Sequence, residues 1–159
     1  MTCGQLGNGL KEEITSYLEE FPGTKLIVID TLQKIRGPGN AANRSGMYGS
    51  DYEDITMLKE IADSNSIAII AVHHLRKQTD NGDPFNQITG TTGITGAVDS
   101  SFVLKKDSRS ADTALLLATG RDIEYQQFVL RFENQIWQLI ERKHERELQK
   151  DEVPAFLFQ

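Results

Sequence analysis

Residues 26–30, Leu26-Ile27-Val28-Ile29-Asp30, and residues 67–74, Ile67-Ala68-Ile69-Ile70-Ala71-Val72-His73-His74, decide the fold class. Each is an aliphatic, largely β-branched run that ends abruptly in polar residues. Neither alternates apolar with polar side chains, and continuous apolar runs of this length mark strands covered on both faces of a parallel sheet. A helix is expected between them at about 51–64, where Ile55, Leu58, Ile61 and Ala62 fall on one stripe. Ser50 and Glu53 stand at capping-box spacing before that stripe. Strand, helix and strand in this order form a right-handed crossover unit. The expected class is therefore α/β, a mainly parallel sheet flanked by helices.

Upstream, Leu10, Ile14, Tyr17, Leu18 and Phe21 keep helical spacing, Glu12 and Glu13 suit a first turn, and Pro22-Gly23 closes the segment. The Gly-rich residues 1–9 before it read as a loop cut from something longer. Downstream of the first strand, residues 37–50 (GPGNAANRSGMYGS) are expected to form a long loop at the strand's carboxyl end, a place where loops often carry function. A second such stretch covers residues 75–92, and residues 93–99 lead into a strand at 101–105. After Lys106 short strands are expected at 113–118, 128–132 and 136–140, the last two joined by a hairpin turn at Glu133-Asn134-Gln135. This end reads as antiparallel. Residues 141–152 alternate charges without an apolar stripe and read as a solvated helix or a frayed end. The expected organisation is one domain over 1–142 and a charged tail over 143–159.

The chain has 159 residues, enough for one core, and 38% hydrophobic with 25% charged residues is ordinary globular composition. A formal charge of −6 gives no general attraction to nucleic acid or to an anionic membrane, so any DNA contact must be local. The single cysteine, Cys3, rules out an internal disulfide framework. The amino terminus shows neither a signal peptide nor a spanning segment, and the expected compartment is the cytoplasm.

Asp30, following four aliphatic residues, is placed as a carboxylate that holds Mg²⁺ at the mouth of a sheet, reaching the metal through water or Thr31. The alternative is a turn-forming Asp after an apolar strand. His73 and His74 end the second strand beside the expected position of Asp30, where a polar side chain can sense a γ-phosphate. The alternative is one satisfied buried His and one surface His. Adjacent residues of a strand point to opposite faces, which argues against a metal site built from both.

Four blocks occur in order: Leu26-Ile27-Val28-Ile29-Asp30-Thr31-Leu32; Val72-His73-His74-Leu75-Arg76-Lys77; Gly90-Thr91-Thr92-Gly93-Ile94-Thr95-Gly96-Ala97-Val98-Asp99-Ser100; and Thr119-Gly120-Arg121-Asp122. Together they resemble the RecA-like AAA ATPases related to plasmid RepA-type and replicative hexameric helicases. The resemblance covers about residues 7–140, corresponding to the later half of that family's ATPase domain. It implies a RecA-like P-loop NTPase core fragment with an antiparallel carboxyl-terminal hairpin. By position Asp30 resembles the Walker B aspartate that helps hold Mg²⁺, with Thr31 beside it, and His74 resembles the polar sensor at the end of the next strand. Arg121 resembles the finger arginine that reaches a γ-phosphate bound by a neighbouring subunit, a contact that can contribute about 10³–10⁵ in rate. Its alternative is a hairpin surface arginine paired with Asp122 or Glu124. Residues 76–92 match the DNA-facing loop, with Arg76, Lys77, Gln87, Thr91 and Thr92 as phosphate contacts. Asp80 and Asp83 oppose the two cations there, and Phe85 is its one aromatic.

The sequence departs from the family's pattern in three places. Thr119 stands where hexameric helicases often carry a lysine, two residues before the finger. Gly-x-x-x-x-Gly-Lys-Ser/Thr, the loop whose amides and lysine cradle phosphates, does not occur, and Gly90, Gly93 and Gly96 lack its lysine. The family's catalytic glutamate belongs to the earlier half. This polypeptide alone is therefore not expected to hydrolyse ATP. Without the strand that precedes the phosphate loop, apolar edges are expected to drive self-association, or pairing of the His73 strand with the 101–105 strand.

Other chemistries find little support. No Gly-x-Ser-x-Gly elbow is present, and Cys3 lies in a loose end. Asp51, Glu53 and Asp54 fit a helix amino terminus, and His144 sits among Arg and Lys on a solvated face. The resemblance implies an ATPase or helicase-type protein of DNA replication, repair or recombination that couples ATP and Mg²⁺ to a DNA-facing loop. Its partners would be further copies of itself and single-stranded DNA, with no membrane involved. The alternatives are a non-catalytic DNA-binding or assembly module on an ATPase scaffold, and an inert truncation.

Overall fold

The computed structural model describes residues 4–36, 46–75, 84–88 and 92–144. The chain divides into two compact units, residues 1–98 and 99–159.

In the first unit, helix α1 (Leu10–Glu20) buries Leu10 and Ile14, as its spacing requires. Glu13 in its first turn accepts a 2.7 Å hydrogen bond from the Gly4 N–H. Gly9 precedes the helix at φ 83°, a left-handed conformation that glycine adopts without Cβ strain. Strand β1 (Leu26–Asp30) leads into a one-turn helix α2 (Leu32–Ile35), which the sequence reading missed. Helix α3 (Gly46–Asn65) then crosses to strand β2 (Ala68–Val72), parallel to β1 and paired with it from Leu26↔Ala68 to Asp30↔Val72. A 3-10 turn (Pro84–Gln87) and helix α4 (Thr92–Ala97) complete the unit. Ile29, Leu32 and Ile35 pack with Ile55, Leu58 and Ile61 of α3 into one core, joined by Ile94 and Ala97 of α4.

Several boundaries differ from expectation. α3 begins at Gly46 rather than 51, so Ser50 lies within the helix and cannot cap its start. Residues 93–99, expected only to lead into the next strand, are largely helical, with Ile94 and Ala97 three apart and both buried in the core. β1 and β2 are covered on one face only: Ile29 is buried and Ile27, Ile69 and Ala71 pack against the core, while Leu26, Val28, Ile70 and Val72 are exposed.

The second unit is a four-stranded antiparallel sheet in the order β3 (Ser100–Lys105), β4 (Thr113–Gly120), β5 (Gln126–Glu133) and β6 (Ile136–His144). The expected mainly parallel, RecA-like sheet is therefore contradicted: among the strands of the described residues, four pair antiparallel and β1 with β2 pair parallel. The connections explain it. Residues 106–112, 121–125 and 134–135 are each too short for the crossover of about a dozen residues that parallel neighbours need. Asn134 (φ 51°) and Gln135 (φ 65°) form the tight β5–β6 turn in the left-handed region, at the expected place. Glu141–His144 continue β6, where a solvated helix or frayed end was expected. The expected pairing of the His73 strand with the 101–105 strand does not form, since β2 and β3 belong to different sheets.

Candidate functional site

Asp30 is the last residue of β1 and pairs in register with Val72, the last residue of β2. Because the strands are parallel, the residues that follow, Thr31 on one side and His73-His74 on the other, leave the sheet at the same end. Neighbouring strands lie about 4.8 Å apart, so these groups share one mouth at the carboxyl edge. This is the edge at which open α/β sheets receive ligands. Asp30 is exposed there and Ile29 before it is buried, so the strand is anchored while its terminal carboxylate meets solvent.

Thr31 occupies the amino-terminal cap position of α2 with extended backbone (φ −122°, ψ 163°), yet its hydroxyl makes no capping hydrogen bond. The turn is held instead by the backbone, the Lys34 N–H donating to the Thr31 carbonyl at 2.9 Å. The Thr31 hydroxyl is therefore not consumed by the helix it precedes. His73 is half-buried and His74 exposed, their ring centroids 6.3 Å apart and tilted by 40°. Among the described residues no group of three or more His, Cys, Asp or Glu side chains could hold a metal ion by itself.

Arg36, at the end of α2, reaches two carboxylates of α3. Its Nη2 donates to Asp51 Oδ1 at 2.8 Å and its Nε lies 2.9 Å from Asp54 Oδ2. The Nε contact is an ion pair only, since that N–H is buried without a hydrogen-bond partner among the described residues. Asp54 is 1% exposed and Asp51 3%. The cluster fastens the segment leaving β1 to the crossover helix and so holds Asp30-Thr31 in place. Sequence reasoning set these aspartates at a helix amino terminus and missed the clamp. The signal was present: Asp51, Asp54, Ile55, Leu58 and Ile61 share one helical stripe, so the apolar stripe continues into the two acids.

Of the expected DNA-facing residues, Arg76, Lys77 and Thr91 lie outside the described residues, as does the side chain of Thr92. Gln87 is half-buried at the end of the 3-10 turn. The bridge between Leu75 and Ile88 brings the two ends of that stretch together at its base, near the His73-His74 step.

Arg121 follows β4 in the other unit. Its backbone N–H donates to the Asp99 carbonyl at 2.8 Å, and its Nη1 lies 3.4 Å from Asp99 Oδ1, with the side chains 62% and 54% exposed. The ionic partner in this structure is Asp99 rather than Asp122 or Glu124. Gly120 allows this approach, because a Cβ there would stand 2.6 Å from the Asp99 carbonyl oxygen. Gly120→Ala is accordingly expected to lower stability by about 1–3 kcal/mol, the range for forced overpacking. A urea titration followed by Trp137 fluorescence would measure it, since Trp137 is the chain's one tryptophan and lies in this sheet.

No protein-family model matches the sequence, and no curated protein matches it. No helix among the described residues is long and apolar enough to cross a membrane.

Proposed function

We propose that the carboxyl edge of β1 and β2 is half of a nucleoside-triphosphate site, in a cytoplasmic ATPase or helicase-type protein that acts on DNA in replication, repair or recombination. The observation that carries this reading is the parallel register Asp30↔Val72, which brings Asp30-Thr31 and His73-His74 to one mouth. Asp30 holds Mg²⁺ through water with the Thr31 hydroxyl beside it, and His74 meets the γ-phosphate and passes its state to the stretch beyond Leu75. Mg²⁺ supplies neutralisation of the charge that develops on the phosphoryl oxygens. Arg76, Lys77, Gln87, Thr91 and Thr92 contact the DNA backbone. Arg121 acts on a nucleotide held by another copy. Its exposure supports this, and so does the weakness of an exposed ion pair, worth about 0–1 kcal/mol and easily exchanged. The apolar outer face of β1 and β2 favours association with further copies of the chain.

The phosphate grip must come from a Gly-x-x-x-x-Gly-Lys-Ser/Thr segment that this sequence does not contain. ATP hydrolysis should be measured, with and without single-stranded DNA, on this chain and on a longer polypeptide that carries such a segment upstream. Turnover only in the longer polypeptide, reduced at least about 100-fold by Asp30→Ala, is the expected result. Equal turnover with alanine at position 30 would remove Asp30 from the site. The absent phosphate loop favours one second reading, a non-catalytic DNA-binding or assembly module, and it takes the lead if neither polypeptide turns over.

A further inference from the structure

The antiparallel sheet of residues 100–144 presents two chemically different faces. Register places Phe102, Leu104, Leu116, Phe128, Phe132 and Trp137 on one of them, together with Leu139 and Arg142. Phe102 is 59% exposed, Phe132 43% and Trp137 39%, and Leu104 and Leu139 are exposed beside them. The Phe132 and Trp137 rings lie 5.1 Å apart. Two cations sit over rings of this face: the Arg142 guanidinium 5.5 Å from the Phe128 centroid and the Lys106 ammonium 5.4 Å from that of Trp137. The strand carboxylates, Glu133 and Glu141, fall on the opposite face with Lys105, Arg131 and Lys143. In a chain of net charge −6, this face carries cations and aromatics and no strand acid.

We propose that this face binds single-stranded DNA, stacking bases on Phe102, Phe132 and Trp137 and holding phosphates with Arg142 and Lys106. Exposed aromatics on a sheet stack successive bases whatever their identity, and cations nearby track the backbone. Arg142 is already oriented, since its Nε and Nη2 donate to Gln126 Oε1 at 3.1 and 2.8 Å while Nη1 takes no part in those bonds. An apolar protein surface fits less well, because it would bury both cations without a counter-charge. The inference deepens the DNA-binding part of the proposed function but rests on this sheet alone, independently of the nucleotide edge.

The test is a titration of the full chain with fifteen-residue oligothymidylate, read by Trp137 fluorescence and by anisotropy of a labelled oligonucleotide, without ATP. Saturable quenching is expected, weakening steeply with salt. Phe102→Ala should weaken binding about 5- to 100-fold with an unchanged circular-dichroism melt, as befits a side chain so exposed. Arg142→Ala should weaken it and lower the salt slope by about one. Three results would overturn the proposal. One is anisotropy binding abolished by Arg76→Ala with Lys77→Ala but unmoved by Phe102→Ala, which leaves the DNA-facing stretch as the only site. A second is equal or tighter quenching by oligouridylate. The third is a dimer by sedimentation that Phe102→Ala dissociates and oligothymidylate does not, which makes a second copy the occupant. ATP hydrolysis is not a readout here, so failure leaves the nucleotide reading standing, and the reverse holds.

Discussion

Arg36→Met is expected to destabilise the first unit by about 3–5 kcal/mol. Arg36 is the cation between Asp51 and Asp54, both almost wholly buried. Removing it leaves two interior carboxylates without that counter-charge, and each keeps its desolvation cost while losing its attraction to the guanidinium. Asp54→Asn should cost less, about 1–3 kcal/mol, because Arg36 keeps Asp51 and one of the two buried negative charges is removed. Urea denaturation followed by circular dichroism at the helical minimum checks both, since α1 to α4 all lie in residues 1–98. The order matters more than the magnitudes. Equal losses would mean that the helix-to-helix link, and not charge compensation, is what Arg36 supplies.

Leu32→Ala is expected to cost about 2–5 kcal/mol, the sum of lost transfer energy and the cavity left behind. Leu32 is 1% exposed and packs in the core formed by β1, α2, α3 and α4. Leu32→Met, which nearly conserves volume, should cost under about 1.5 kcal/mol. The position carries functional weight because it lies two residues past Asp30. When the Leu32 anchor is lost, amide hydrogen exchange at Thr31 and Asp30 should accelerate more than exchange in α1. Uniform acceleration would show that Leu32 supports the unit as a whole and not the edge in particular.

Much of the first unit was legible because apolar spacing and chain punctuation acted together. Leu10 and Ile14 marked α1, Pro22-Gly23 ended it, and the runs at Leu26 and Ile69 marked β1 and β2. That Asp30 meets the end of β2 also followed from reading the two runs as parallel strands ending at one edge. The clamp was missed although Asp51 and Asp54 lie on the apolar stripe of α3, because acids at a helix start read as solvated until Arg36 is seen against them. The sheet class was misread because the two continuous apolar runs at Leu26 and Ile67 were taken to set the whole sheet, although the end after Lys106 already read as antiparallel. The short links there allow only antiparallel neighbours, and they build the four-stranded sheet, while β1 and β2 form a two-stranded one. Gly120 and Arg121 were read as part of a motif, and the close approach to Asp99 that holds them was not read.

The nucleotide edge is tested most directly by titrating a ¹⁵N-labelled longer polypeptide, one that carries the phosphate-loop segment upstream of these residues, with ATP and Mn²⁺, a paramagnetic substitute for Mg²⁺, and reading line broadening residue by residue. Broadening that centres on Asp30, Thr31 and His74, and is lost in Asp30→Ala, is the predicted result. Broadening centred elsewhere, or unchanged in that variant, would contradict the assignment of this edge to nucleotide and metal.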